Sequence, residues 1–257
     1  MGNDRILTAF LTIIIKEVSR FLRIWGQTIL PPAVSMTLYF IIFGSLIGPR
    51  IGTMGGFGYM EFIAPGIIMM AIINNSYSNV VSSFFGAKFQ RHIEEMLIAP
   101  IPDAVILAGY VTGGVARGLI VGLVVTVVAL LFTHLQIHSY FVVISIVTLT
   151  SVLFSLGGFI NAVYARNFDD ISIIPTFVLT PLIYLGGVFY SIDMLPEFWQ
   201  GVSRFNPILY MVNAFRYGIL GVADVDISHA FVIILLFTVA LTVYALLLLK
   251  RGTGLKS

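Results

Sequence analysis

The chain contains no cysteine, which excludes a disulfide framework and a thiolate metal site. Charge is nearly as scarce: 10% of its 257 residues are Asp, Glu, Lys or Arg, against about 25% in soluble domains. No G-x-x-x-x-G-K-[ST] stretch occurs, so the chain has no phosphate-cradling loop of that kind. The glycine-rich run 48–58 lacks the lysine and reads as a flexible loop. No G-x-S-x-G elbow and no grouped Ser, His and Asp are present. The chain is therefore read as a non-enzyme, with no catalytic residue. His134 and His138 stand four apart, but in a short loop without carboxylates nearby in sequence. No metal site is expected, and no nucleic-acid partner.

What is abundant is apolar: 58% of the residues are hydrophobic. A helix needs about 20 apolar residues to cross a hydrocarbon core of about 30 Å. Continuous apolar runs place six spans at roughly 24–47, 59–85, 105–132, 140–164, 171–191 and 228–249. The runs do not alternate, which excludes a β-barrel. The expected fold is an all-α membrane protein, with residues 1–23 as a cytoplasmic interface helix and 24–257 as one six-helix transmembrane domain. In the first segment Phe10, Ile14, Val18 and Phe21 recur at helical spacing, with Lys16, Arg20 and Arg23 on other faces. That pattern fits an amphipathic helix lying on the membrane surface. With both termini inside, the inner basic residues are Arg5, Lys16, Arg20, Arg23, Lys88, Arg91, Arg166, Lys250, Arg251 and Lys256. Only Arg50, Arg204 and Arg216 fall outside, and Arg117 lies within a span. The positive-inside rule therefore puts both termini in the cytoplasm.

Between spans 2 and 3 stands FQRHIEEMLIAPIP, 89–102. As a helix it gathers Phe89, Ile93, Met96 and Leu97 on one face and leaves Arg91, Glu94 and Glu95 on others. Pro100 stops it. A short amphipathic rod of this kind suits docking into a groove of a cytoplasmic partner.

Before span 6, residues 190–221 are too charged and proline-broken to span, yet too apolar for a solvated loop. Asn206 before Pro207 reads as a helix cap and first position. The segment is expected to form two short helices dipping into the outer leaflet, either as a lid or as interfacial packing. Arg117, about 18 Å along span 3, pairs in this reading with Asp169 or Asp170, with substrate contact as the other possibility. NNSYSN, 74–79, puts amides in mid-span 2. Pro175, Thr176, Thr180, Pro181 and Tyr184 make span 5 a kinked helix with a polar side. These two spans form a possible path.

Three stretches together, EEMLIAPIP, GGVFYSIDMLPEFWQ and NPILYMVNAFRYG, resemble the permease subunit of type-2 ABC exporters, and within it the YadH-like inner-membrane permeases of Gram-negative bacteria. The resemblance covers essentially the whole chain. It implies a bacterial inner-membrane half-transporter that works as a homodimer in membrane lipid with separate ABC ATPase subunits. ATP and Mg belong to those subunits, and this chain holds no cofactor. It implies that Phe89, Arg91, Glu94, Glu95, Leu97 and Pro100 lie on a coupling helix. Leu195, Pro196, Trp199, Asn206, Pro207 and Arg216 then fall on an outer re-entrant gate. Asn74, Asn75, Thr180 and Tyr184 fall near the substrate path. A drug, lipid or glycan-like substrate would move outward. The rival readings are a secondary transporter or channel without an ATPase, and a non-transporting membrane scaffold.

Overall fold

The computed structural model describes residues 3–254. Lys256, counted above with the inner charges, lies outside them, and so does the side chain of Leu97. The chain is almost wholly helical. Helix α1 (Asn3–Arg23) leads into α2 (Trp25–Ile51), and a hairpin of β1 (Thr53–Met54) and β2 (Phe57–Gly58) follows. Next come the long α3 (Tyr59–Phe89), the short α4 (His92–Ile98), α5 (Asp103–Leu130) and α6 (Tyr140–Tyr164). Helices α7 (Asp170–Tyr184), α8 (Glu197–Arg204), α9 (Pro207–Leu220) and α10 (Ile227–Arg251) complete the chain.

Among the described residues four helices, α2, α5, α6 and α10, are long and apolar enough to cross a membrane. Helix α3 is longer than any of them, at 31 residues, but its amides and serines at 74–79 dilute its apolar character. Helix α7 ends at Tyr184, short of the expected 171–191. The chain turns at Gly186 and Gly187, the latter at φ +71°, a conformation glycine adopts without penalty. Phe189 then lies back against the bundle, where it stacks on Phe43 and its carbonyl accepts Tyr59 Oη at 3.0 Å.

Helix α3 is the central pillar and packs chiefly against α6 and α5. Lipid tails are as apolar as leucine, so helices in a bilayer associate through close van der Waals contact and interhelical hydrogen bonds rather than hydrophobic burial. Glycine makes that approach possible. At Gly122 of α5 a Cβ would stand 2.7 Å from Ile72 Cγ1, and at Gly158 of α6 it would stand 2.5 Å from the Tyr77 carbonyl oxygen.

Caps fix the ends. Asn206 Oδ1 accepts the Ile208 amide at 3.0 Å, Pro207 occupies the first turn of α9, and Gly221 at φ +77° closes it. Asp226 accepts the His229 amide at 3.1 Å to start α10, and that bond holds its carboxyl below the usual range.

The far end of the bundle from α4 is locked by Arg216, whose side chain is fully buried. Its guanidinium donates to the Gly187 carbonyl at 2.6 Å and the Phe62 carbonyl at 3.3 Å, and lies 4.0 Å above the Phe62 ring. Asp224 pairs with it at 3.8 Å and also accepts the Ile192 amide at 3.1 Å. Asn213 accepts from both Arg216 and the Asp224 amide. One side chain thus ties α9 to α3, to the turn after α7 and to the loop before α10. Arg216→Ala leaves Asp224 and two carbonyls without their donor, so the folded state should lose about 3–5 kcal/mol. Arg216→Lys should recover little, because an ammonium lacks the planar fork that reaches these acceptors together. Thermal melting in detergent checks both.

Candidate functional site

At the inner end, as the charge count orients the chain, α4 is shorter than the rod expected from 89–102. Phe89 still belongs to α3, and Arg91 takes a left-handed conformation at φ 62° between the two helices. This reversal separates Phe89 from the α4 stripe and corrects the single-helix reading. Ile93 is buried and Met96 packs partly against the core, where its Sδ accepts Tyr110 Oη at 3.9 Å. Arg91, Glu95 and Pro100 are exposed and Glu94 is half-buried. Ile98 is 85% exposed. Ala99 is extended ahead of Pro100, as a residue before proline prefers. Phe89 is exposed and packs on Phe168, also exposed, at 5.0 Å between ring centroids. Beside them Lys88 donates to the carbonyls of Val163 and Ala165 at 2.6 and 2.8 Å, closing the last turn of α6. Neither Ile98, Phe168 nor the Lys88 contact was expected from sequence. Exposed apolar side chains at a helix stop were the available signal.

The middle of the bundle holds a polar seam. Glu17 of α1 is fully buried, accepts Ser83 Oγ at 2.5 Å and pairs with Arg20 at 3.3 Å. Arg20 also donates to Asn79 Oδ1 at 2.8 Å and to its carbonyl at 3.1 Å. Further along α5, Arg117 donates to Asn75 Oδ1 at 3.1 Å. The expected pair with Asp169 or Asp170 does not form. Asp169 is exposed, and Asp170 accepts the amides of Arg166 and Asn167 at 2.8 and 3.3 Å to shape the turn after α6. Arg117 finds its partner on the adjacent helix, where an amide oxygen already lies within reach. The buried side of α1 is also corrected. Ile13, Glu17 and Phe21 face inward, while Phe10, Ile14 and Val18 are half-buried flanks. Sequence periodicity had no reason to put a carboxylate at the centre of that stripe.

The seam divides the amides of α3. Asn75, Asn79 and Ser83 face α1 and α5, whereas Asn74, Ser78 and Ser82, also four apart, lie on the less buried side. Thr180 and Tyr184 are exposed as well, and Tyr184 Oη lies 3.5 Å from Tyr39 Oη of α2. Both helices are π-helical nearby, over Phe40–Ile47 and Pro175–Leu179. In α7 the cause is local: Pro181 has no N–H to donate, and the ladder slips by one residue. Of the four expected path residues, Asn74, Thr180 and Tyr184 lie toward the open side, while Asn75 serves the seam.

Of the expected outer residues, Leu195 is half-buried, Pro196 just before α8 and Trp199 on it are exposed, and Asn206 is buried. Asn206 bridges α9 to the end of α7 through Nδ2 to the Leu182 carbonyl at 2.6 Å.

If the seam holds α1 in place, Glu17→Ala should destabilise the fold by about 1–3 kcal/mol, as loss of a buried acceptor does, and Glu17→Gln by less. Arg117→Ala and Asn75→Ala should shift melting alike, and Asp169→Ala should not shift it. A common effect of Arg117→Ala and Asp169→Ala would restore the ion pair.

Residues 8–220 match the ABC-2 type transporter family. The chain is 60% identical over 242 residues to the inner membrane transport permease YadH of Escherichia coli (strain K12), covering 94% of each chain, and equally to that of Shigella flexneri. Nodulation protein J of Rhizobium leguminosarum bv. trifolii is 25% identical over 193 residues, 75% of this chain and 74% of that one. The match over most of its length and the extent of the identity make this chain a member of the ABC-2 type transporter family.

Proposed function

We propose that the chain is the membrane permease subunit of an ATP-driven exporter in a bacterial inner membrane. Two copies work with two separate cytoplasmic ATPase subunits, which supply ATP and Mg, and a substrate moves outward. The observation that carries this reading is α4. Family membership supports the ATPase-driven class, and α4 supports a docking place for such a subunit. The helix hangs at one end of the bundle between its two longest neighbours, α3 and α5, with Arg91, Glu95, Ile98 and Pro100 exposed. Ile98 is 85% exposed at the stop of this helix, which supports contact with a partner or the membrane surface there. Phe89 and Phe168 extend the same surface.

In this reading six segments cross the membrane, α3 and α7 joining the four long apolar helices. Residues 1–23 are the inner interface segment, and α8 with α9 re-enters from the outside. The open sides of α2, α3 and α7, with Asn74, Thr180 and Tyr184, face the second copy and line the path. Lys88, Arg91, Arg166 and Thr253 border one cavity, which supports a shared inner side for the α4 loop and the chain's end.

Charge reversal by Glu95→Arg, and separately Ile98→Asp, should leave membrane insertion intact, since positive charge suits an inner loop. Each should cut stimulation of the co-reconstituted ATPase at least fivefold in liposomes, through lost charge complementarity or a carboxylate forced into an apolar contact. Unchanged stimulation in both would reduce α4 to a connecting turn. A reporter fused after Ser257 should be active only in the cytoplasm; periplasmic activity would require an odd number of crossings.

A further inference from the structure

At the end of the bundle opposite α4 lies an open cavity of about 660 Å³, within the range of small-molecule sites. It is lined by Phe57, Glu61, His134, Gln136, Ile137, His138 and the last turn of α9 at Ile219 and Leu220. Glu61 marks the start of α3, about 42 Å along that helix from Phe89. Nothing derived above uses this cavity. The loop 133–137 forms neither helix nor strand. His134, Gln136, Ile137 and His138 line the cavity while Leu135 packs partly against the core. Backbone bonds hold the loop there: the His138 amide donates to Ile219 at 3.2 Å, and the Ser139 amide to Gly218 at 2.9 Å. The His138 ring is braced edge-on by Tyr217. The sequence separates His134 and His138 from any carboxylate, and the fold supplies one.

Among the described residues Glu61 is the only Asp, Glu, Lys or Arg side chain that lines the cavity. One of its oxygens accepts the Gly58 amide at 3.3 Å, and the other carries no protein hydrogen bond among the described residues. The negative end of the α9 dipole also points to this wall, at Ile219 and Leu220. The ring nitrogens of His134 and His138 and the Gln136 amide oxygen are candidate acceptors. Phe57 provides a ring face, which attracts cations. A metal ion does not fit as well: no group of three His, Cys, Asp or Glu side chains is close enough to hold one among the described residues. An extended organic cation can reach separated acceptors that a metal ion cannot.

We propose that this cavity is a binding site for a small aliphatic amine. Its ammonium pairs with Glu61, with His134, Gln136 and His138 as hydrogen-bond acceptors and Phe57 with Ile219 as the apolar wall. The site requires neither the ATPase nor a second copy, so it stands or falls apart from the transport reading.

The test uses the full chain in a non-ionic maltoside detergent at fixed ionic strength. Calorimetric titrations compare 1,4-diaminobutane and spermidine with 1,4-butanediol, succinate and zinc chloride. At least one amine should bind saturably, and the diol and dicarboxylate should not. Glu61→Gln should weaken amine binding at least tenfold, and His134→Ala with Gln136→Ala, on an exposed loop away from the α3 cap, at least threefold. The loop pair keeps the test decisive if Glu61→Gln disturbs the helix start. Saturable binding by neither amine, equal binding of the diol, amine binding indifferent to both sets of variants, or histidine-dependent binding of zinc alone would each overturn the proposal.

Discussion

Everything in this fold depends on how closely α5 and α6 approach α3. In lipid the hydrophobic effect does not draw one apolar helix to another, so backbone proximity must supply the cohesion. Gly114, Gly118 and Gly122 recur every fourth residue on α5, and Gly158 of α6 meets the Tyr77 backbone. A larger side chain at any of these would push the pillar away. Gly109 and Gly113 of α5 admit α1 in the same way, since a Cβ there would stand 2.5 Å from Ile13 Cγ2 and 2.5 Å from Glu17 Cβ, and the seam of Glu17, Arg20, Asn79 and Ser83 rests on that approach. The glycines bring the polar groups together, and the polar groups select the register.

The same pillar gives the transport reading its mechanical sense. Helix α3 carries α4 through the Arg91 reversal at one end and the Phe62 carbonyl that holds Arg216 at the other. Lys88 fastens it to the end of α6. Helix α4 and the Arg216 lock are therefore joined by one continuous helix, with the seam between them. A push on α4 displaces a rigid element already tied to the outer helices. The π-helical stretch of α7 is largely exposed, whereas that of α2 buries Phe40 and Gly44 against the core.

Much of this was legible in the chain. Apolar runs marked the long helices, Asn206–Pro207 marked the start of α9, and the prolines after Ile98 marked the stop of α4. What periodicity missed were contacts decided by tertiary approach. Arg117 was assigned to Asp169 or Asp170 because opposite charges attract in a list of residues, whereas in space Asn75 is its neighbour and Asp170 is occupied by the Arg166 turn. Glu17, outside the apolar stripe expected of α1, is buried because Gly113 of α5 lets α1 come close. Arg216 was read as part of a gate and is a lock, because its acceptors come from the Phe62 and Gly187 carbonyls, which no side-chain pattern encodes. The end of α7 at Tyr184 followed from two adjacent glycines that an apolar-run count passes over.

The central proposal is that this chain is one half of an export permease whose motion comes from separate ATPase subunits docked at α4. Native mass spectrometry of the complex, purified from its own membranes in mild detergent, tests it most directly. The account predicts an assembly of two copies of this 28.2 kDa chain with two copies of a nucleotide-hydrolysing subunit, which falls apart into permease dimers when α4 carries Ile98→Asp. A lone chain or a dimer without any ATPase subunit, from membranes where that ATPase is present, would contradict it.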